Sequence, residues 1–268
     1  MRVEQVGDGE PELAIIGGIH GDEPCGPHAV EALLEMGLEV EKPVKLVIAN
    51  EEALAAGTRY LDEDLNRAFP GDEDADTHEG RLAHAVAREL RGCTVLSLHS
   101  TQSYAKPFAL VDAVSGADRS LVPYLSVDAL VETAHFSKGR LIEIVDVIEV
   151  ECGLQGSAGA KENAVELCLE FLRATGALPG RPEPTEVPVF RLARKIAKPV
   201  PAEYEVFVEN FERVAAGERF AVADDEAFAA EEPFYPILLS AYGYEDVFGY
   251  AADLAGQLTH EAYVPTEA

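Results

Sequence analysis

The hydrophobic positions of this chain fall into short continuous runs that are separated by longer amphipathic stretches. Continuous apolar runs of strand length occupy residues 13–16, 44–49, 94–98, 108–111 and 147–150. They lack the strict polar and apolar alternation of strands that are exposed on one face. The pattern therefore predicts a central mixed or parallel sheet that is buried on both faces.

Helical spacing of apolar residues lies between these predicted strands. Residues 27–36 read as a helix that ends before Gly37, and residues 79–90 read as a second helix. Ser157 is suited to cap a third, longer helix that runs to about residue 175 and is closed by Gly176. Strands that alternate with helices predict an α/β fold, a mixed sheet flanked by helices.

A change in composition predicts a second unit near the end of the chain. Residues 178–184 form a proline-rich segment, which we interpret as a linker. Short strand-like runs follow at 187–191, 204–208, 219–222 and 235–239. We therefore predict a catalytic α/β domain over residues 1–178 and a small β domain over residues 187–268, with a frayed tail from residue 259.

The charge of the chain limits its partners. It has 268 residues and a net charge of −28, from 49 acidic and 21 basic residues. Nucleic acid and anionic membranes are therefore poor partners for this chain, and its charge suggests a halophilic source.

The sequence shows neither a membrane span nor a signal peptide, so we expect a cytoplasmic protein. Its four separated cysteines predict free thiols.

A histidine and a glutamate three residues apart follow the first buried strand. They lie in the segment GGIHGDE (residues 17–23), where glycines allow a tight turn. A second histidine, His99, closes the predicted strand 94–98. Because ligands bind beyond the carboxyl ends of strands in open α/β sheets, we predict that His20, Glu23 and His99 hold one Zn²⁺ ion per chain.

Two further segments carry polar groups suited to chemistry. Residues 58–71 form a predicted loop with two arginines, Arg59 and Arg67, in a chain that is poor in positive charge. Asp64 in this loop is placed to accept a hydrogen bond from a metal-binding histidine. Glu149 and Glu151 lie on one face of the strand near 147–150. Periodicity cannot rank them as a general base, but the position at the strand end favours Glu151.

Four segments, taken together, resemble the succinylglutamate desuccinylase/aspartoacylase family of zinc amidohydrolases, relatives of the zinc carboxypeptidases. The segments are GGIHGDEPCG, RYLDEDLNRAFPG, LHST and VECGLQG, in the family's order. The resemblance covers roughly residues 10–180 well and the remainder loosely. It implies a zinc-carboxypeptidase-like α/β domain followed by a small β domain.

The resemblance also implies roles for individual residues. His20, Glu23 and His99 match the family's zinc ligands, and Glu151 matches its general base. Arg59 looks like the arginine that polarises the scissile carbonyl. Substrate-binding residues match at Asn66 and Arg67, which hold the substrate carboxylate, and at Tyr244, with Tyr242 as the alternative tyrosine.

The implied reaction is the hydrolysis of a small N-acyl amino acid, the partner that we expect, with homo-oligomerisation left open. Two departures concern the choice of substrate. The stretch that matches a further substrate-binding arginine holds Arg140 one position away, and Ala241 replaces an acidic residue three before Tyr244. The alternative enzyme is a carboxypeptidase that acts on short peptides. A binding protein without catalysis is a third interpretation, which the intact candidate site opposes.

Overall fold

An 11-stranded mixed sheet forms the centre of the computed structural model, which describes residues 1–134, 136, 138–200, 202–260 and 262–266. Its main path runs in the order β1-β3-β2-β4-β7-β5-β6-β8-β13-β12, and β14 pairs with β13. The strands of this sheet are β1 (Arg2–Val6), β2 (Leu13–Gly17), β3 (Val44–Ile48), β4 (Thr94–Thr101), β5 (Phe108–Val111), β6 (Leu130–Glu132), β7 (Asp146–Leu154), β8 (Val187–Ala197), β12 (Tyr235–Ile237), β13 (Val247–Leu258) and β14 (Tyr263–Pro265). A separate three-stranded sheet contains β9 (Tyr204–Val206), β10 (Arg219–Ala223) and β11 (Glu226–Ala229).

Helices cover both faces of the large sheet. They are α1 (Cys25–Met36), α2 (Glu51–Ala56), α3 (Leu65–Ala68), α4 (His78–Glu89), α5 (Gly116–Leu121) and α6 (Ala158–Ala174), with short 3₁₀ turns at Val122–Tyr124 and Leu141–Glu143. One buried cluster joins α1 and α6 to the sheet, and another joins α4 to its opposite face. The predicted mixed sheet, buried on both faces and flanked by helices, is therefore confirmed.

Local signals explain where the predicted helices begin and end. The Ser157 side chain accepts a hydrogen bond from the Ala160 backbone and so caps α6, as predicted. Gly37 adopts the left-handed conformation that ends α1. The predicted loop 58–71 contains the short helix α3, which begins after Asp64 because the Asp64 side chain accepts a hydrogen bond from the Asn66 backbone.

Four neighbouring strands, β3, β2, β4 and β7, run parallel to one another. Their carboxyl ends therefore meet at one edge of the sheet, where ligands bind in such folds. In the register of β4 and β7, His99 lies opposite Glu151 and Ser97 lies opposite Glu149. Residues from distant parts of the chain thus come together at this edge.

The part of the chain after residue 186 extends the large sheet as well as forming the small one. Strand β8 pairs in parallel with β6 and antiparallel with β13. The expectation of a frayed tail is wrong for residues 263–265, since β14 pairs with β13; Glu261, Glu267 and Ala268 lie outside the described residues. The division into domains 1–178 and 187–268 stays a prediction.

The four cysteines are free, as predicted, and all four are buried. Within the described part of the chain, no helix has both the length and the apolar character needed to cross a membrane.

Candidate active site

His20, Glu23 and His99 converge at the carboxyl edge of the parallel strands. The Nδ1 atoms of His20 and His99 lie 2.8 and 3.1 Å from the two carboxylate oxygens of Glu23. One ligand-type atom from each residue falls within 4.8 Å of the others, and all three residues are buried. His20 and Glu23 follow β2 as expected, whereas His99 lies inside β4, which continues to Thr101.

Glycines let the loop after β2 turn close to its neighbours. Gly18 has φ of +70°, a conformation that side chains other than glycine rarely adopt. A Cβ atom added to Gly21 would lie 2.2 Å from the carbonyl carbon of Ala53, so the loop packs directly on α2. This packing fixes the positions of the flanking His20 and Glu23.

Each histidine uses its second ring nitrogen for a hydrogen bond that orients the ring. His20 Nε2 lies 3.0 Å from Asp64 Oδ1, the contact predicted for Asp64, and His99 Nε2 lies 3.1 Å from Ser97 Oγ. With a cation at the two Nδ1 atoms, a proton on each Nε2 would leave each Nδ1 lone pair free to bind it. Ser97 was missed from the sequence, although its position two residues before His99 places it on the same strand face.

The donor set fits a divalent metal ion of the zinc type. Two imidazole nitrogens and one carboxylate, with second partners on both rings, match a three-ligand site of this kind. Burial opposes protonation of His99, but the hydrogen bond and charge of Glu23 raise the pKa of His99 to about 9. In the absence of a cation, a proton on His99 therefore compensates part of the charge of Glu23.

Glu151 and Glu149 lie side by side but have different surroundings. Glu149 is buried and bonded to Arg140 and, at 3.4 Å, to Asn66 Nδ2. Glu151 Oε2 is shielded from solvent and has no hydrogen-bond partner among the described residues. Burial and the negative charge of Glu23 raise the pKa of Glu151 to about 7. These differences favour Glu151 as the reactive carboxylate, the choice that strand position had also indicated.

The loop with two arginines lies against the candidate metal ligands. Arg59 Nη1 is 3.0 Å from Glu23 Oε1, and Arg59 Nε is 3.3 Å from Asp64 Oδ2. Asn66 is buried, and its Oδ1 accepts a hydrogen bond from the Leu141 backbone. Arg67 is exposed, and among the described residues its side chain donates a hydrogen bond only to the Asn66 carbonyl. All three predicted side chains line one cavity.

This cavity has a volume of about 430 Å³ and also receives residues from the last quarter of the chain. Tyr244 and Tyr250 line it, with ring centroids 6.2 Å apart. Tyr242, the alternative considered from the sequence, is exposed and packs on Tyr204 outside the cavity lining. The structure therefore brings Tyr244 to the site and leaves Tyr242 away from it.

Together, the sheet and its polar edge define an α/β protein with a candidate metal site at the carboxyl ends of parallel strands. Residues 9–120 match the model of the succinylglutamate desuccinylase/aspartoacylase catalytic domain. Residues 9–120 therefore belong with the catalytic domain of this family. The matched range contains the candidate ligands and the loop with two arginines but ends before Glu151 and Tyr244.

Similar proteins agree with this placement. Aspartoacylase from Rattus norvegicus is 44% identical over 136 residues, which cover 47% of this chain and 42% of the relative. The chain spans less than half the length of the curated relatives it matches. Two solved structures share the fold: a succinylglutamate desuccinylase/aspartoacylase from Rhodobacter sphaeroides has a TM-score of 0.77, 18% identity and coverage of 94% of this chain and 88% of that one. Murine aminoacylase 3 has a TM-score of 0.74, 22% identity and coverage of 96% and 99%.

Proposed function

We propose that this protein is a zinc-dependent hydrolase that cleaves the amide bond of small N-acyl amino acids. The observation that carries the proposal is the convergence of His20, Glu23 and His99 beside Glu151, whose buried Oε2 has no described partner. The match of residues 9–120 to the desuccinylase/aspartoacylase catalytic domain and the similarity to aspartoacylase support the same reaction class.

His20, Glu23 and His99 would hold the metal ion through two nitrogens and one carboxylate. When bound, zinc supplies Lewis acidity, which polarises a carbonyl and makes water more acidic. Asp64 and Ser97 keep both imidazole rings in the ligand orientation through their hydrogen bonds to the Nε2 atoms.

The remaining groups of the site divide the work of amide hydrolysis. Glu151 takes a proton from the attacking water and later returns it to the leaving amine, which its raised pKa suits. Arg59 donates hydrogen bonds to the oxygen that becomes negative as the carbonyl is attacked. Arg67 and Asn66 hold the carboxylate of the substrate, with Tyr244 closing the cavity, so that the amide is oriented for attack.

A carboxypeptidase acting on short peptides would use the same groups and is the second candidate. The cavity of about 430 Å³ is closed in part by residues 237–250, which favours a small N-acyl amino acid over a peptide chain. Hydrolysis rates for a dipeptide and an N-acetyl amino acid, measured side by side, distinguish the two candidates.

The proposal is tested by metal analysis and amine release with Glu151→Gln and His99→Ala. We expect about one metal ion per chain in the wild type and in Glu151→Gln, and loss of metal in His99→Ala. Glu151→Gln should hydrolyse substrate at least ~100-fold more slowly, the scale of general-base catalysis. Glu162→Gln, an exposed change at the start of α6, is the matched control. Near-wild-type turnover by Glu151→Gln would remove Glu151 from its role, and a metal-free wild type without activity would contradict the function.

A further inference from the structure

The buried ion pair between Arg140 and Glu149 changes the charge that the cavity offers to a substrate. Arg140 lines the cavity from the position just before the 3₁₀ turn Leu141–Glu143, and Glu149 lies on β7, two residues before Glu151. Their side chains are 11% and 3% exposed and in direct contact. Burial opposes ionisation of Glu149, but Arg140 lowers its pKa, so both groups are charged at neutral pH. The positive charge of Arg140 is thus already compensated by the protein.

Of the two other arginines that line the cavity, one is compensated by protein carboxylates and the other is not. Arg59 forms ion pairs with Glu23 and Asp64. Arg67 forms no ion pair with any carboxylate in the described part of the chain, although it lines the same cavity. The cavity therefore offers one uncompensated guanidinium, which matches one substrate carboxylate.

Part of the cavity wall is apolar or aromatic, beside the polar groups of the candidate site. Aromatic rings there include Phe136 and Tyr250, whose centroids lie 5.8 Å apart in an edge-to-face arrangement. The aliphatic residues that line the cavity are Leu110, Leu192, Ile237 and Leu238. Such a surface gains free energy by covering an apolar substituent and loses it by removing a charged one from water.

We infer that this enzyme acts on N-acyl amino acids that carry a single carboxylate and an apolar side chain, and that the Arg140–Glu149 pair excludes dicarboxylate substrates. The inference rests on the proposed function and adds its substrate class. The pair acts by compensating a charge that would otherwise attract a second carboxylate. The net charge of −28 acts in the same direction, because it repels a more negative substrate at longer range.

The first test compares kcat/KM for N-acetyl-L-phenylalanine, N-acetyl-L-leucine, N-acetyl-L-aspartate and N-succinyl-L-glutamate, with Nα-acetyl-L-lysine as a cationic probe. The apolar substrates should exceed the dicarboxylates by at least ~100-fold, the scale of the cost of burying a carboxylate without a partner. A preference for either dicarboxylate, or for the lysine derivative, would overturn the inference. It would leave the proposed amide hydrolysis intact.

A binding measurement keeps this test independent of turnover. N-acetyl-L-phenylalanine and N-acetyl-L-aspartate are titrated calorimetrically into metal-loaded Glu151→Gln. Tighter binding of the phenylalanine derivative supports the inference even if the wild type hydrolyses neither compound, in which case only the proposed function fails. Equal or weaker binding of that derivative contradicts the inference.

The role of the ion pair is tested by Glu149→Gln, which keeps the side-chain shape and removes the charge. The ratio of kcat/KM for the apolar substrate to that for the dicarboxylate should fall at least ~10-fold, because Arg140 then becomes available to a second carboxylate. A general loss of activity would leave this ratio unchanged. The matched control is Glu132→Gln, since Glu132 is also buried and paired with an arginine, Arg191, but lies outside the cavity lining. An unchanged ratio in Glu149→Gln, or an equal change in the control, rejects the role.

Discussion

Glu79 holds the loop with two arginines in place, and its replacement should loosen the site without touching it. This residue lies in the first turn of α4 and is fully buried. Its Oε1 accepts hydrogen bonds from the Leu61 backbone at 2.8 Å and from Asn50 Nδ2 at 3.0 Å. Its Oε2 accepts from the backbones of Asp62 at 3.0 Å and Glu63 at 3.3 Å. One carboxylate thus satisfies four donors.

The change Glu79→Gln converts one of these oxygens into an NH₂ group, which faces two donors. Hydrogen bonds to charged groups contribute about 1.5–3 kcal/mol each, and the loop can relax to recover part of this loss. We therefore expect a loss of about 3 kcal/mol in the free energy of unfolding, or a Tm lower by about 6–12 °C for a chain of this size. Because the loop carries Arg59 and Arg67, kcat/KM should also fall while metal content is retained.

The assay is urea unfolding of metal-loaded protein across a pH series, with the exposed Glu73→Gln as the control. Burial alone would raise the pKa of Glu79, but the donors from the loop lower it below its ordinary value of 4.5. A carboxyl group whose pKa is lowered by folding stabilises the protein at pH values above its pKa in the unfolded state. This stabilisation is lost as the pH falls through the pKa of the folded state. The difference between wild type and Glu79→Gln should therefore be largest above about pH 5 and shrink in acid. A variant as stable as Glu73→Gln at neutral pH would refute the reasoning.

Four other predictions concern the metal, the cavity wall and the charge. Asp64→Asn should weaken metal affinity about 10–100-fold, measured by chelator competition, because the neutral amide supports the His20 ring less well. The pKa of about 9 for His99 means that its proton must leave before a metal binds at neutral pH. Calorimetry in buffers of different ionisation enthalpy should therefore show proton release, and the apparent affinity should fall as pH is lowered. Lys198→Met should raise KM at constant metal content, since the buried Lys198 bonds the backbone three residues before Tyr244. Raising KCl from about 0.1 to 1 M should raise Tm through screening of the charge of −28, whereas an uncharged osmolyte at equal osmolality should have less effect.

Strands and helices with strong local signals could be predicted from the sequence, and those that depend on distant partners could not. Strand β2 and helix α6 carry continuous apolar residues or a capping serine, so their pattern is sufficient. Strand β13 was missed, although it is 12 residues long. It contains Gly249 and Gly256, and its register with β8 shifts at three places, which removes the regular alternation. Its extended conformation is therefore imposed by pairing rather than by its own sequence.

The residues of the candidate site also differ in how far the sequence alone could predict them. The spacing of His20 and Glu23 is local, and His99 could be added because the strand before it was evident. The choice between Glu149 and Glu151 depends on Arg140, which reaches β7 from a turn in another part of the fold. No periodicity within β7 contains that information, since the two glutamates share one face of the strand.

Under the proposed function, the segments around the candidate metal site specify the groups that attack and polarise an amide, because those groups must meet at a few ångströms. Selectivity for a substrate depends instead on the net charge of the cavity wall. A neighbouring carboxylate can compensate the charge of an arginine there without altering any motif. In this chain the Glu149 carboxylate compensates the charge of Arg140 from a position directly before the segment VECGLQG and outside it. Two chains with the same four segments can therefore share a reaction and differ in substrate by the charge of one buried side chain.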